Sequence, residues 1–227
     1  MSTQIMTRKD IFTATELVEG LDMISSELVA AVSSSGLQID LPLRIMVAGG
    51  AVSVLKYKTR ETTRDVDFYH PSADVRKILL KLGKSVADAK NWEGAFYWFN
   101  EALVNIIEGD PAYSAVFANS MNSKDTVYSS ESIVLVPVDI NWQLHRKISR
   151  VSKYIRLTLG IRIEDMDDAL YLLHLFHSSK GRALKKSEFR QMYSESTTAR
   201  ISDAAIAHIA DTYRHRYNSV GLNLDEW

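Results

Sequence analysis

Asp65 and Asp67 stand one residue apart in "TRDVDF", downstream of an adjacent glycine pair, Gly49-Gly50. Side chains alternate along an extended strand, so the two carboxylates share one face while Val66 and Phe68 share the other. At roughly 3.3 Å of rise per residue they stand about 7 Å apart along the strand. Two such groups repel unless a cation joins them. A hard divalent ion such as Mg²⁺ prefers oxygen ligands, and two ions about 4 Å apart can clamp the attacking and leaving oxygens of phosphoryl transfer. The same residues also fit a plain polar strand face whose acids pair with Lys58, Arg60 or Arg64.

The glycine pair follows the apolar run "LRIMVA" and precedes "AVSVLKY". At the mouth of a helix, backbone N–H groups bind phosphate. A turn that needs positive φ would select glycine without any ligand. Arg60, Thr62, Thr63 and Arg64 lie just before the acids, and their guanidinium forks and hydroxyls suit phosphate oxygens. A solvated loop with local salt bridges is the other reading of that segment, and Lys56 and Lys58 carry less weight.

These residues need elements to hold them. Leu17, Leu21, Ile24, Leu28 and Val29 recur at helical spacing, and Thr13 with Glu16 forms a capping box, so a first amphipathic helix begins there. "LRIMVA" reads as a buried strand, "AVSVLKY" as a short helix and "TRDVDFY" as a second strand. Ser72 caps a helix carrying Val75, Ile78, Leu79 and Leu82, and another helix is expected through "WEGAFYWFNEALVNII". Strands are expected at "AYSAVFA" and "SIVLVPVDIN", with a loop over Asn119–Asp125 between them and Pro137 marking an edge or bulge. From Trp142 onward, "WQLHRKISRVSKYIRLTL", "IEDMDDALYLLHLF", "KKSEFRQMYSE" and "SDAAIAHIADTYRHRY" all show helical spacing.

The order of strand, Gly-Gly, basic Arg-x-Thr-Thr and Asp-hydrophobic-Asp resembles the nucleotidyltransferase superfamily with the DNA polymerase beta-like fold. "GGAVSVLKYKTRETTRDVDF" is most similar to its uncharacterised and toxin-type branch with GG followed by RxTxDhD, and the match covers about a tenth of the chain. The resemblance implies an α/β (α+β) fold, a small mixed-sheet nucleotidyltransferase core flanked by helices over residues 1–141, and the helical spacing from Trp142 onward adds a helical subdomain over 142–227. The resemblance also implies that Gly49 and Gly50 hold a nucleoside triphosphate, and the guanidinium and hydroxyl chemistry of Arg60, Thr62, Thr63 and Arg64 suits the same phosphates. Asp65 and Asp67 would bind Mg²⁺, in a suspected two-ion site. Asp139, in "VLVPVDIN", is the candidate third acid, for metal and for activating an acceptor hydroxyl; a local helix cap is its other reading. Many superfamily members have Gly-Ser where this chain has Gly49-Gly50, and Ser53 is the residue that could supply the hydroxyl. CCA-adding relatives follow GG with Arg-Asp, whereas Ser53-Val54 stands here. The implied activity is transfer of a nucleoside monophosphate to a hydroxyl on RNA, protein or a small molecule. The alternatives are a catalytically silent binding or regulatory member of the fold, and a metal-dependent enzyme of another reaction class.

Other chemistry-bearing groups read as structural. His174 and His177 lack an HExxH setting, so helix packing is expected. Asp165, Asp167 and Asp168 enrich a helix start, "KGRALKK" is a solvated interhelical loop, and Trp92, Tyr97, Trp98 and Phe99 belong to the core. Trp142 beside Asp139 is a candidate for stacking on a base. Formal net charge is -1 and no cysteine is present, which removes disulfides and thiolate chemistry and leaves charge silent on partners. The start lacks an apolar run of signal-peptide length, and no stretch nears 18 apolar residues, so a soluble, cytoplasmic chain without a membrane partner is expected.

Overall fold

A computed structural model describes residues 9–92, 95, 97–109, 113–157, 159–191 and 201–226. The chain divides into two compact units, Met1–Val138 and Asp139–Trp227, three residues ahead of the boundary expected at 141/142. The first unit is mixed α/β and the second is built of helices. No described helix is long and apolar enough to cross a membrane.

The first unit opens with β1 (Phe12–Thr13) and α1 (Ala14–Ser35). Thr13 accepts from the Glu16 N–H at 3.4 Å while its own N–H donates to the Glu16 carboxylate at 2.9 Å, closing the capping box. Leu17, Leu21, Ile24 and Leu28 are fully buried, whereas Val29 points outward and Val32 takes the inner place. β2 (Leu43–Ala48) follows, then α2 (Gly50–Val52), which widens into a π-helical turn over Ser53–Tyr57. β3 (Thr62–Thr63) pairs antiparallel with β1. β4 (Val66–Tyr69) leads to α3 (Ala73–Ala89), whose Ser72 cap accepts from Val75 N at 3.3 Å.

Beyond α3 the expected long helix through "WEGAFYWFNEALVNII" is not found. The described part contains β5 (Phe99–Asn100) and the short α4 (Val104–Ile107), while Glu93, Gly94 and Phe96 lie outside the described residues. Tertiary contacts override the helical spacing here. The Trp98 indole donates to Gly83 O at 2.7 Å, Val66 N–H donates to Trp98 O at 2.6 Å, and Phe99 stacks on Phe68 with centroids 4.5 Å apart. The expected strand at "AYSAVFA" is also corrected: α5 (Ser114–Asn122) occupies it, so the loop starts only after Asn122, and Ala112 lies outside the described residues. Arg44 on β2 donates to the carbonyls of Met121 and Ser123 at 3.2 and 3.1 Å, satisfying the helix end.

β6 (Tyr128–Ser129) and β7 (Ile133–Pro137) complete a five-stranded sheet in the order β5-β4-β2-β7-β6. β2 pairs antiparallel with β4 and parallel with β7, which makes the sheet mixed. The central β2 is buried along almost its whole length, with Ile45, Met46 and Val47 fully covered. Pro137 takes an edge position at the end of its strand, though the strand itself is not an edge strand. β7 lies inside the sheet, and Pro137 sits past Leu135, where the pairing with β6 has ended and its missing N–H costs no ladder bond.

The second unit contains α6 (Ile140–Arg156), α7 (Ile163–Lys180), α8 (Lys186–Gln191) and α9 (Asp203–Tyr217). α6 stops at Arg156, short of the reading to Leu159, and residues 192–195 of "KKSEFRQMYSE" lie outside the described residues. Leu184, inside the expected loop "KGRALKK", is fully buried and bridges to Leu222.

Candidate functional site

β2 delivers the chain to Gly49 through Ala48, which pairs directly with Asp67 on β4. Gly49 adopts φ 75°, ψ -141°, a conformation side chains disfavour. A Cβ on Gly49 would stand 3.3 Å from Asp67 Oδ2, so this carboxylate lies directly against the glycine turn. At Gly50 the space is tighter. A Cβ there would fall 2.1 Å from Thr63 Oγ1 and 3.8 Å from Arg60 Nη1. Glycine is therefore required twice, once for backbone conformation and once for close approach. Gly49, Gly50, Arg60, Thr63 and Asp67 are brought together around one turn.

Ser53 is buried, and its hydroxyl donates to Gly49 O at 3.3 Å, bracing the turn from within. The π-helical turn ends at Lys58 in the left-handed region, φ 56°, with the Lys58 N–H directed at Ser53 O and the Thr59 N–H donating to the same oxygen at 3.1 Å. Such wide turns concentrate at functional sites. Lys56 is engaged with Asp125 at 3.3 Å. Thr62 is held in the β1–β3 ladder opposite Thr13, and Thr63 is buried against Gly50.

The expected alternation holds at the acids: Asp65 and Asp67 are half-buried, while Val66 and Phe68 are fully buried. Asp65 precedes β4 by one residue. With Lys9, Asp10, Arg64, Ala95, Tyr97 and Trp98 it lines a cavity of about 330 Å³. Arg64 is thus at the cavity wall, whereas Arg60 is at the glycine turn.

Asp139 is the residue after Val138, whose N–H donates to Val47 O at 2.8 Å beside the end of β2. Its Oδ1 accepts from the N–H groups of Asn141 and Trp142 at 2.9 and 3.2 Å, which makes it the N-cap of α6. Trp142 is buried with Arg146 over its ring, so it is not available to stack on a base. Among the described residues, no group of three or more His, Asp or Glu side chains is gathered closely enough to hold a metal ion.

The remaining candidates resolve into structure. His174 stacks on Tyr217 at 4.2 Å and its Nδ1 meets the Tyr213 hydroxyl at 3.2 Å; His177 Nε2 meets the Ser219 hydroxyl at 3.4 Å. Trp92, Trp98 and Phe99 are core residues, but Tyr97 is 78% exposed, contrary to the expectation of burial. Asp165 and Asp168 do not simply decorate a helix start. Both are buried and bind the buried Lys147, at 3.0 and 2.6 Å, while Asp167 pairs with Arg216 at 2.6 Å. That ionic cluster escaped the sequence reading, although Asp165 and Asp168 stand three apart on a helix face that also carries the buried Ala169 and Leu172. So did Arg76, which is buried on α3 and holds His70 O, Glu101 and Glu108 at 2.7, 2.9 and 3.1 Å, pinning the chain as it leaves β4.

Residues 72–220, well over half of the chain, match a family described as a domain of unknown function, DUF7582. The chain belongs to this family. The DUF7582 match begins at the Ser72 cap of α3 and covers Asp139, while Gly49, Gly50, Asp65 and Asp67 precede it. No curated protein and no solved structure matches the chain.

Proposed function

We propose that this DUF7582 protein is a Mg²⁺-dependent nucleotidyltransferase that moves a nucleoside monophosphate from a nucleoside triphosphate to a hydroxyl acceptor. The observation that carries the reading is the register Ala48–Asp67, which sets a carboxylate oxygen 3.3 Å from the Cβ position of a positive-φ glycine. A strand-end acid against a side-chain-free turn is the pairing needed to bring a phosphate chain and a cation to one place.

The donor set fits Mg²⁺: Asp65 and Asp67 offer hard carboxylate oxygens, and Asp67 Oδ2 stands against the Gly49 turn. When bound, the ion supplies positive charge that offsets the phosphates and the acid pair. The Gly49–Gly50 turn offers its backbone and Arg60 a guanidinium to the triphosphate; Thr63 and Ser53 shape and brace that turn, and Thr62 ties the basic segment to β1. Arg64 extends the basic segment. In the reaction the acceptor oxygen bonds to the α-phosphorus, the bond from that phosphorus to the bridging oxygen breaks, and pyrophosphate departs. The hydroxyl proton goes to a carboxylate, a role that the superfamily resemblance gives to Asp139.

The test uses triphosphates labelled at the α-phosphate, incubated with the intact protein, Mg²⁺ and separate pools of RNA, protein and small metabolites. Label transfer to one pool, lost in Asp65→Asn/Asp67→Asn, is expected; transfer equal in the double variant would overturn the reading.

A further inference from the structure

The basic segment ahead of β4 serves two places. Arg60 and Thr63 close on Gly50, whereas Arg64 faces the cavity that it shares with Lys9, Asp10, Asp65, Tyr97 and Trp98. The floor of this cavity is fixed, because Trp98 is 1% exposed, its indole is bonded to Gly83 O and its carbonyl to Val66 N–H. Tyr97, the next residue, leaves its ring in solvent at the cavity edge. Lys9 is already paired with Glu16 at 2.5 Å. Arg64 is exposed and forms no ion pair among the described residues, so it is the cation left to meet an incoming anion.

An open aromatic face, a planar guanidinium and a carboxylate around one small cavity match the three parts of a nucleotide: base, phosphate and sugar hydroxyl. The volume lies at the lower end of ligand pockets, about 300–1,000 Å³, which suits one nucleotide unit. We propose that this cavity is the acceptor subsite and takes a nucleotide unit, with its base on Tyr97, its phosphate on Arg64 and its sugar hydroxyl toward Asp65. The assignment rests on reading Asp65 and Asp67 as the transfer centre, but the binding itself needs no metal. The unit is either a free nucleotide or the 3′ end of a single-stranded RNA.

The full chain is titrated in EDTA with AMP, CMP, GMP and UMP, and with a short labelled single-stranded RNA bearing a 3′ hydroxyl. Saturable binding is expected, weakened about tenfold or more by Tyr97→Ala and by Arg64→Gln. Both positions are exposed, so the variants retain the fold, and circular dichroism verifies this. Monophosphates binding as well as RNA identify a free nucleotide; RNA binding lost on blocking its 3′ hydroxyl identifies a strand end. Absence of binding, or unchanged binding in both variants, overturns the proposal. Nucleotide binding here without any Mg²⁺-dependent triphosphate binding overturns the transfer reading, and the acceptor role with it. Triphosphate binding without nucleotide binding here overturns the subsite alone.

Discussion

At Gly50 even a methyl group has nowhere to go, because Thr63 Oγ1 lies 2.1 Å and Thr63 Cβ 2.9 Å from where it would stand. Gly50→Ala is expected to cost about 1–3 kcal/mol in urea unfolding through overpacking. Gly49→Ala is expected to cost about 1–3 kcal/mol from its disfavoured backbone, and to weaken triphosphate binding by crowding Asp67. His145 gives a pH signature of a different origin. It is fully buried beside Phe189, and burial, with Arg146 adding to it, pushes its pKa down to about 4. Below pH 6.5 the unfolded chain takes up a proton that the folded chain refuses, so stability rises with pH across this window. It is complete above about pH 6.5 and falls progressively towards pH 4, by at most about 3 kcal/mol. Denaturant titrations from pH 7 to 4.5 should show this slope, and His145→Leu should flatten it.

Among elements, the helices of the second unit carry a test of burial. Lys147 on α6 lies between Asp165 and Asp168 of α7, with all three at 3% exposure or less. Lys147→Ala removes the buried cation that Asp165 and Asp168 share, with Arg150 still 3.6 Å from Asp165, and should cost about 3–5 kcal/mol, while replacing all three by Met, Leu and Leu should recover most of the loss. Calorimetric melting of the two variants distinguishes them. The sequence revealed elements whose signals were local: the capping box of α1, the apolar run of β2, the Ser72 cap and the spacing of α6, α7 and α9. It misled where partners far along the chain decide the conformation. β5 exists because Gly83 O and Val66 N–H hold Trp98 in place, and α5 because Arg44 closes its carbonyl end. Lys147 was invisible for the same reason, since its acids arrive from another helix. The glycine turn and acid pair were legible because their chemistry lies within one short segment, Gly49–Phe68. Asp67's approach to Gly49 depends on strand register, and the exposed Tyr97 on a two-residue strand, so neither geometry could be read from spacing.

For the whole molecule, the family match and the proposed site meet inside the first unit, at residues 71 and 72. The DUF7582 match spans about half of the first unit and nearly all of the second, whereas the glycine turn and acid pair lie upstream of the match. The central claim is that this upstream segment binds a metal and a triphosphate. Its most direct test is calorimetric titration of each nucleoside triphosphate into the intact protein with Mg²⁺, beside Asp65→Asn/Asp67→Asn with folding of both verified. Saturable binding that requires Mg²⁺ and disappears in the double variant is the predicted result; no binding of any triphosphate at millimolar concentration, or binding unchanged in the double variant, would contradict it.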